Sequence, residues 1–135
     1  MSGIPRAKFP KSAHLLKHAD FRLVYEKGRR HFSGNLTAFY LRRSAEAEAP
    51  SAGSVRIGFT VGRALGGSVE RNRIRRRVRE AVRIQMTSLG EITGPVDIVI
   101  NPKKSVLRVD FAVLSDEVSR ALQTIRQKLD RPEKQ

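Results

Sequence analysis

Glu70-Arg71-Asn72-Arg73-Ile74-Arg75-Arg76-Arg77-Val78-Arg79-Glu80 carries more structural information than any other stretch of this chain. Placed on a helix at about 100° per residue, Ile74, Val78, Ala81 and Val82 fall on one stripe that needs a core to cover it. Asn72, Arg76, Arg79 and Arg83 lie on the opposite face, with Arg73 and Arg77 flanking one side of it and Arg75 the other. From Arg71 to Arg83 there are seven arginines and one glutamate, so like charges stack with almost no internal compensation. Solvated helical faces usually mix signs at i,i+4 spacing, which supports the helix; this one does not. Phosphate groups of a nucleic acid would relieve the repulsion and release counterions. The helix is expected to start at an N-cap on Ser68, with Glu70 favoured in its first turn by the dipole, and to run to about Thr87.

Working outward, Ser54 to Val61 and Leu36 to Arg42 are rich in apolar, aromatic and β-branched residues and predict two strands that pair. Ser44 to Gly53 between them is small, acidic and broken by Pro50, which suits a solvated loop. Before these, Phe21, Val24 and Tyr25 fall at i, i+3 and i+4, predicting a short helix from His18 to Lys27 with Gly28 as its stop. Downstream, Gly90 and Gly94-Pro95 end the arginine segment, and Val96 to Ile100 is a nearly continuous apolar run, as a strand buried on both faces would be. Phe111, Leu114, Val118, Ala121, Leu122, Ile125 and Leu129 repeat at helical spacing, and Asp110 can cap that helix. The elements sum to helix, two or three strands, helix, strand, helix: an α/β sandwich with helices packed against a sheet. A mobile basic arm is expected over residues 1–11, one α/β domain over 12–129, and a polar tail over 130–135.

Composition narrows the partner. The chain has 135 residues, 27 Lys and Arg against 13 Asp and Glu, and a formal charge of +14, more than solubility demands of one small domain. Arg outnumbers Lys by 19 to 8, and the planar guanidinium suits phosphate contacts and stacking on bases. No stretch approaches the roughly 18 apolar residues of a membrane span. Met1 to Lys11 lacks the apolar core of a signal peptide, so the expected location is the cytoplasm. Without cysteine there is no thiolate zinc site. His14, His18 and His31 have no ligand spacing, and no constellation of base, nucleophile and metal ligands suggests a protein nuclease.

The run Arg71-Asn72-Arg73, followed by Ile74-Arg75-Arg76-Arg77-Val78-Arg79-Glu80, resembles the signature helix of bacterial ribonuclease P proteins. Arg56-Ile57-Gly58-Phe59-Thr60-Val61 and Gly62-Arg63-Ala64-Leu65-Gly66-Gly67-Ser68-Val69 resemble that family's preceding strand and connector. One position departs: the family usually has two lysines in the connector, and here Arg63 keeps one cation while Ala64 loses the other. Asp20-Phe21 with Val24, Tyr25 and Gly28 is similar to the family's first helix, and Asp97-Ile98-Val99-Ile100 to its last strand. The resemblance implies a small two-layer α/β (α+β) sandwich of order α-β-β-β-α-β-α with a left-handed βαβ crossover. It also implies a non-catalytic subunit of an endoribonuclease acting in tRNA 5′-end maturation. Its partners would be the catalytic RNA subunit and precursor tRNA, with no membrane and no protein partner required, and Mg2+ would be held mainly by the RNA subunit and substrate. By position, Arg63, Arg71, Asn72, Arg73, Arg75, Arg76 and Arg79 would bind RNA, and Phe21, Tyr25 and Phe39 would line a cleft for the 5′ leader. A ribosomal or general RNA-binding protein, or a nuclease needing no RNA, are the rival classes.

Overall fold

The computed structural model describes residues 18–43, 55–85 and 95–130. In chain order they form α1 (His18–Lys27), β1 (Arg29–Phe32), β2 (Leu36–Arg42), β3 (Val55–Phe59), a 3-10 turn (Arg63–Leu65), α2 (Ser68–Ile84), β4 (Val96–Pro102), a second 3-10 turn (Lys104–Leu107) and α3 (Phe111–Asp130). The order α-β-β-β-α-β-α is the expected one. β1, the strand that residue patterning left open, reads Arg29-Arg30-His31-Phe32 and lacks an apolar alternation. The arm at 1–11, the 44–53 loop and residues 131–135 lie outside the described residues.

The strands form one sheet in the order β1-β2-β4-β3. β1 with β2 and β2 with β4 are antiparallel, whereas β3 and β4 are parallel. Parallel neighbours require a crossover, and α2 lies within it. Side chains alternate across the sheet. Leu36, Ala38 and Tyr40 of β2, Ile57 of β3, and Ile98 and Ile100 of β4 share a core with Ile74, Val78 and Val82 of α2 and Leu114, Val118 and Ile125 of α3. Burying each Val, Leu or Ile among them contributes about 1.5–3 kcal/mol. The predicted α2 stripe is thus the one buried: Ile74, Val78, Ala81 and Val82 are all fully inaccessible.

Two-layer packing describes the sheet with α2 and α3, but α1 lies on the other face. Tyr25 of α1 meets Phe39 and Asn101, which alternate with the core-facing Ala38, Tyr40 and Ile100. Val24 of α1 and Val99 of β4, outside the main core, are both fully buried. Gly28 closes α1 for a steric reason. Its N–H bonds Val24 O at 2.8 Å, and a Cβ there would fall 2.5 Å from Val24 O and 2.7 Å from Tyr40 O.

Three elements differ from their expected bounds. β3 is Val55–Phe59 rather than 54–61, and β4 continues past Ile100 to Pro102. α2 is capped by Gly67 rather than Ser68, because the Glu70 carboxylate reaches back to accept the Gly67 N–H at 2.7 Å. It ends at Ile84 rather than Thr87, where Gln85 leaves helical geometry and its N–H turns to Val82 O.

The β1–β2 turn is tied to α3 by one carboxylate. Glu117 accepts the Ser33 hydroxyl, the Asn35 N–H at 2.7 Å and the Asn35 side-chain amide at 2.6 Å. Burial pushes this carboxyl up, but those hydrogen bonds and the nearby Lys103 charge outweigh burial and hold it below the usual glutamate value. A lowered folded-state pKa stabilises the fold above the unfolded value, roughly pH 4.3, and that contribution disappears as pH falls through the folded value. Glu117→Gln should therefore flatten the pH dependence of stability below that point, measured by urea unfolding from pH 7 down to acid. An unchanged acid limb would refute the coupling.

Candidate nucleic-acid interface

The arginines of α2 divide by what they touch. Arg77 donates to Val109 O and lies 6.0 Å from the centre of the Phe111 ring, tying α2 to the start of α3. Arg83, counted from sequence among the uncompensated cations, is neutralised by Glu80 through hydrogen bonds of 2.9 and 2.6 Å. The three-residue spacing puts that pair on one face. Arg73, Arg76 and Arg79 are exposed, as is Arg63 in the 3-10 turn before the helix. Arg75 is half-buried and donates to the Asn72 side-chain oxygen at 2.9 Å, so exposed Asn72 orients a neighbouring cation. Arg71 is half-buried, with its Nε inaccessible and without a hydrogen-bond partner.

The aromatic residues meet on the opposite face of the sheet. Tyr25 and Phe39 are packed edge to face, their centroids 4.9 Å apart at 83°. The Tyr25 hydroxyl donates to Asn101 Oδ1 at 3.0 Å and shares a 2.7 Å hydrogen bond with the Thr60 hydroxyl. These bonds fix the ring by its polar end while leaving it 38% exposed. Arg30 of β1 places its guanidinium 5.9 Å from the centre of the Phe39 ring, a cation–π contact beside an open surface. Phe21 sits one turn earlier on α1 and is half-buried. Sequence reasoning missed Thr60, Asn101 and Arg30. The first two are polar residues ending apolar strand runs, a signal that only strand pairing turns into a shared site.

Adjacent residues join the two surfaces. Phe59, at the end of β3, lies under the Arg79 guanidinium at 5.8 Å. The next residue, Thr60, bonds Tyr25 on the other face. Cations and aromatic cleft are therefore two sides of one sheet edge.

Among the described residues the remaining titratable groups do not form a catalytic cluster. His31 is half-buried, and its pKa is lowered by burial and by Lys128, against an opposing pull from Glu117. Asp97 is held by Arg43 and Arg56. Among the described residues no group of three or more His, Asp or Glu side chains could hold a metal ion, and none of the described helices is long and apolar enough to cross a membrane. Asp97 and Glu117 are both committed to protein donors, so neither carboxylate is open to a magnesium ion.

The family model described as Ribonuclease P matches residues 9–126. The chain belongs to the ribonuclease P protein family. The ribonuclease P protein component of Acidothermus cellulolyticus is 35% identical over 119 residues, covering 87% of this chain and 92% of the relative. That of Finegoldia magna is 34% identical over 95 residues, covering 70% and 74%. Solved structures share the fold. The ribonuclease P protein of Staphylococcus aureus superposes with a TM-score of 0.66 at 20% identity, covering 85% of this chain and 96% of that one. That of Thermotoga maritima gives 0.66 at 24% identity, covering 82% and 96%. Membership places this chain among the protein components of the ribonuclease P endoribonuclease complex, whose partner is the ribonuclease P RNA.

Proposed function

We propose that this protein binds the catalytic RNA subunit of ribonuclease P through α2 and holds the 5′ leader of precursor tRNA in the aromatic cleft, promoting removal of the leader in the cytoplasm. The observation that carries this is the junction at Phe59-Thr60, which holds the exposed Arg79 guanidinium on one side of the sheet edge and the fixed, solvent-facing Tyr25 on the other. Arg63, Arg73, Arg76 and Arg79 offer cations to phosphates, Asn72 orients Arg75 toward them, and Arg71 supports the same surface. Tyr25, Phe39 and Phe21 offer ring faces to bases, a sequence-tolerant contact that suits many different leaders. Hydrolysis and its Mg2+ belong to the RNA subunit and substrate in this reading. The protein's own groups supply position and affinity.

Reconstitution with and without the cognate RNA subunit tests the assignment. Leader cleavage should require that RNA and be stimulated by the protein; cleavage by the protein alone would establish a self-sufficient nuclease, and binding without stimulation a general RNA-binding protein. Tyr25→Ala tests the cleft. It should cost about 1 to 3 kcal/mol of holoenzyme affinity for precursor tRNA, leave mature tRNA nearly unaffected and lower the urea midpoint only by the lost ring contact and hydrogen bonds, less than the roughly 3 to 5 kcal/mol of a core aromatic. Equal losses for both tRNAs with a large drop in midpoint would make Tyr25 a structural residue.

A further inference from the structure

Phe32 is 68% exposed, and it is the one apolar side chain of an edge strand otherwise made of Arg29, Arg30 and His31. Charges on an edge strand resist pairing with other chains, but an exposed phenyl ring does not serve that end. Its orientation follows from register. Phe32 pairs with Thr37, and Arg30 with Phe39. Directly opposed residues of antiparallel strands project to the same face. Thr37 in turn pairs with Asn101, the acceptor of the Tyr25 hydroxyl. Phe32, Thr37 and Asn101 therefore make one row across β1, β2 and β4, on the cleft face and not the core face.

We infer that Phe32 is a second stacking platform that lengthens the cleft to the β1 edge and takes a base of single-stranded RNA. This rests on the cleft reading above and extends it by one subsite. Phe32 and Phe39 are diagonal neighbours on adjacent strands, about 7–8 Å apart. That exceeds one base rise of about 3.4 Å, so each ring takes its own base. Arg30, opposite Phe39 and two residues before Phe32 on the same face of β1, neighbours both platforms, and its guanidinium, 5.9 Å from the centre of the Phe39 ring, has its charge available to the connecting phosphate. With the proposed seat of the catalytic RNA on α2 taken as the side of the cleavage site, the path has a polarity. The arginine helix adjoins the β3 edge through Arg79 and Phe59, and β1 is the opposite edge of the sheet. A leader whose cleavage site is held near α2 crosses Tyr25 and Phe39 first and reaches Phe32 last. Phe32 thus serves nucleotides farther from the cleavage site.

The test is holoenzyme affinity for precursor tRNAs whose leaders are shortened one nucleotide at a time from the 5′ end. Wild type should lose affinity in two steps as the distal and then the proximal platform empties. Phe32→Ala should weaken binding of long leaders by about fivefold or more, abolish the distal step, and match wild type once the leader is too short to reach β1. Phe32→Trp should keep the distal step. Because the side chain is exposed, the urea midpoint of either variant should stay near wild type. If Phe32→Ala binds every leader as wild type does while Tyr25→Ala still weakens precursor binding, the second platform is refuted and the cleft stands. If neither variant responds to the leader, both readings fall. A loss with Phe32→Ala that is equal for mature tRNA would also refute the platform.

Discussion

Replacing Asp97 with Ala should destabilise the protein by about 3 to 5 kcal/mol, read as a lowered urea midpoint. The Asp97 side chain is 2% exposed and those of Arg43 and Arg56 are 7% and 21% exposed. One carboxylate oxygen accepts from Arg43 and from Arg56 Nε at 2.8 Å, and the other accepts from Arg56 Nη2 at 2.9 Å. Removing the anion leaves two guanidinium groups converging on a space that water hardly enters, and their repulsion adds to the lost hydrogen bonds. The damage should spread to the cleft, because Arg56 also meets Asp20 of α1 at 3.4 Å, and α1 carries Tyr25. A loss below about 1 kcal/mol would show that the network behaves as a solvated surface pair.

Raising salt from 50 to 200 mM should weaken binding to the ribonuclease P RNA by about 500-fold. The figure assumes about five cations neutralised together and a slope of log affinity on log salt near −4.5. Arg63, Arg73, Arg75, Arg76 and Arg79 are the candidates, since Arg77 and Arg83 are engaged within the protein. Arg73→Ala with Arg76→Ala should bring the slope closer to zero by about 2. Both side chains are exposed and off the buried stripe, so the circular-dichroism melt should not change. A wild-type slope near zero would exclude phosphate binding by this helix. Loss of the melt in the double variant would assign those arginines to the fold.

Sequence alone determined the elements whose local pattern is strong. The α2 stripe of Ile74, Val78, Ala81 and Val82 and the α3 repeat from Phe111 to Leu129 are helical because no other periodicity buries them together. Val96 to Ile100 is apolar enough to demand a central strand, and all five residues are buried. The excess of Arg over acidic residues predicted a polyanionic partner without reference to the fold. Tertiary structure decided what depends on residues distant in the chain. Asp97 reads from sequence as an isolated charge in an apolar strand, and only pairing with β2 and β3 brings Arg43 and Arg56 to it. Gly28 reads as a helix stop, and beside the local contact with Val24 O only the fold shows that Tyr40 O of a neighbouring strand also fills the space of a side chain there. Arg83 and Arg77 look equivalent to Arg76 and Arg79 until their partners Glu80 and Val109 are seen. The cleft is the clearest case. Tyr25, Phe39, Thr60 and Asn101 come from α1, β2, the residue after β3 and β4, and sheet register, a non-local property, places them together.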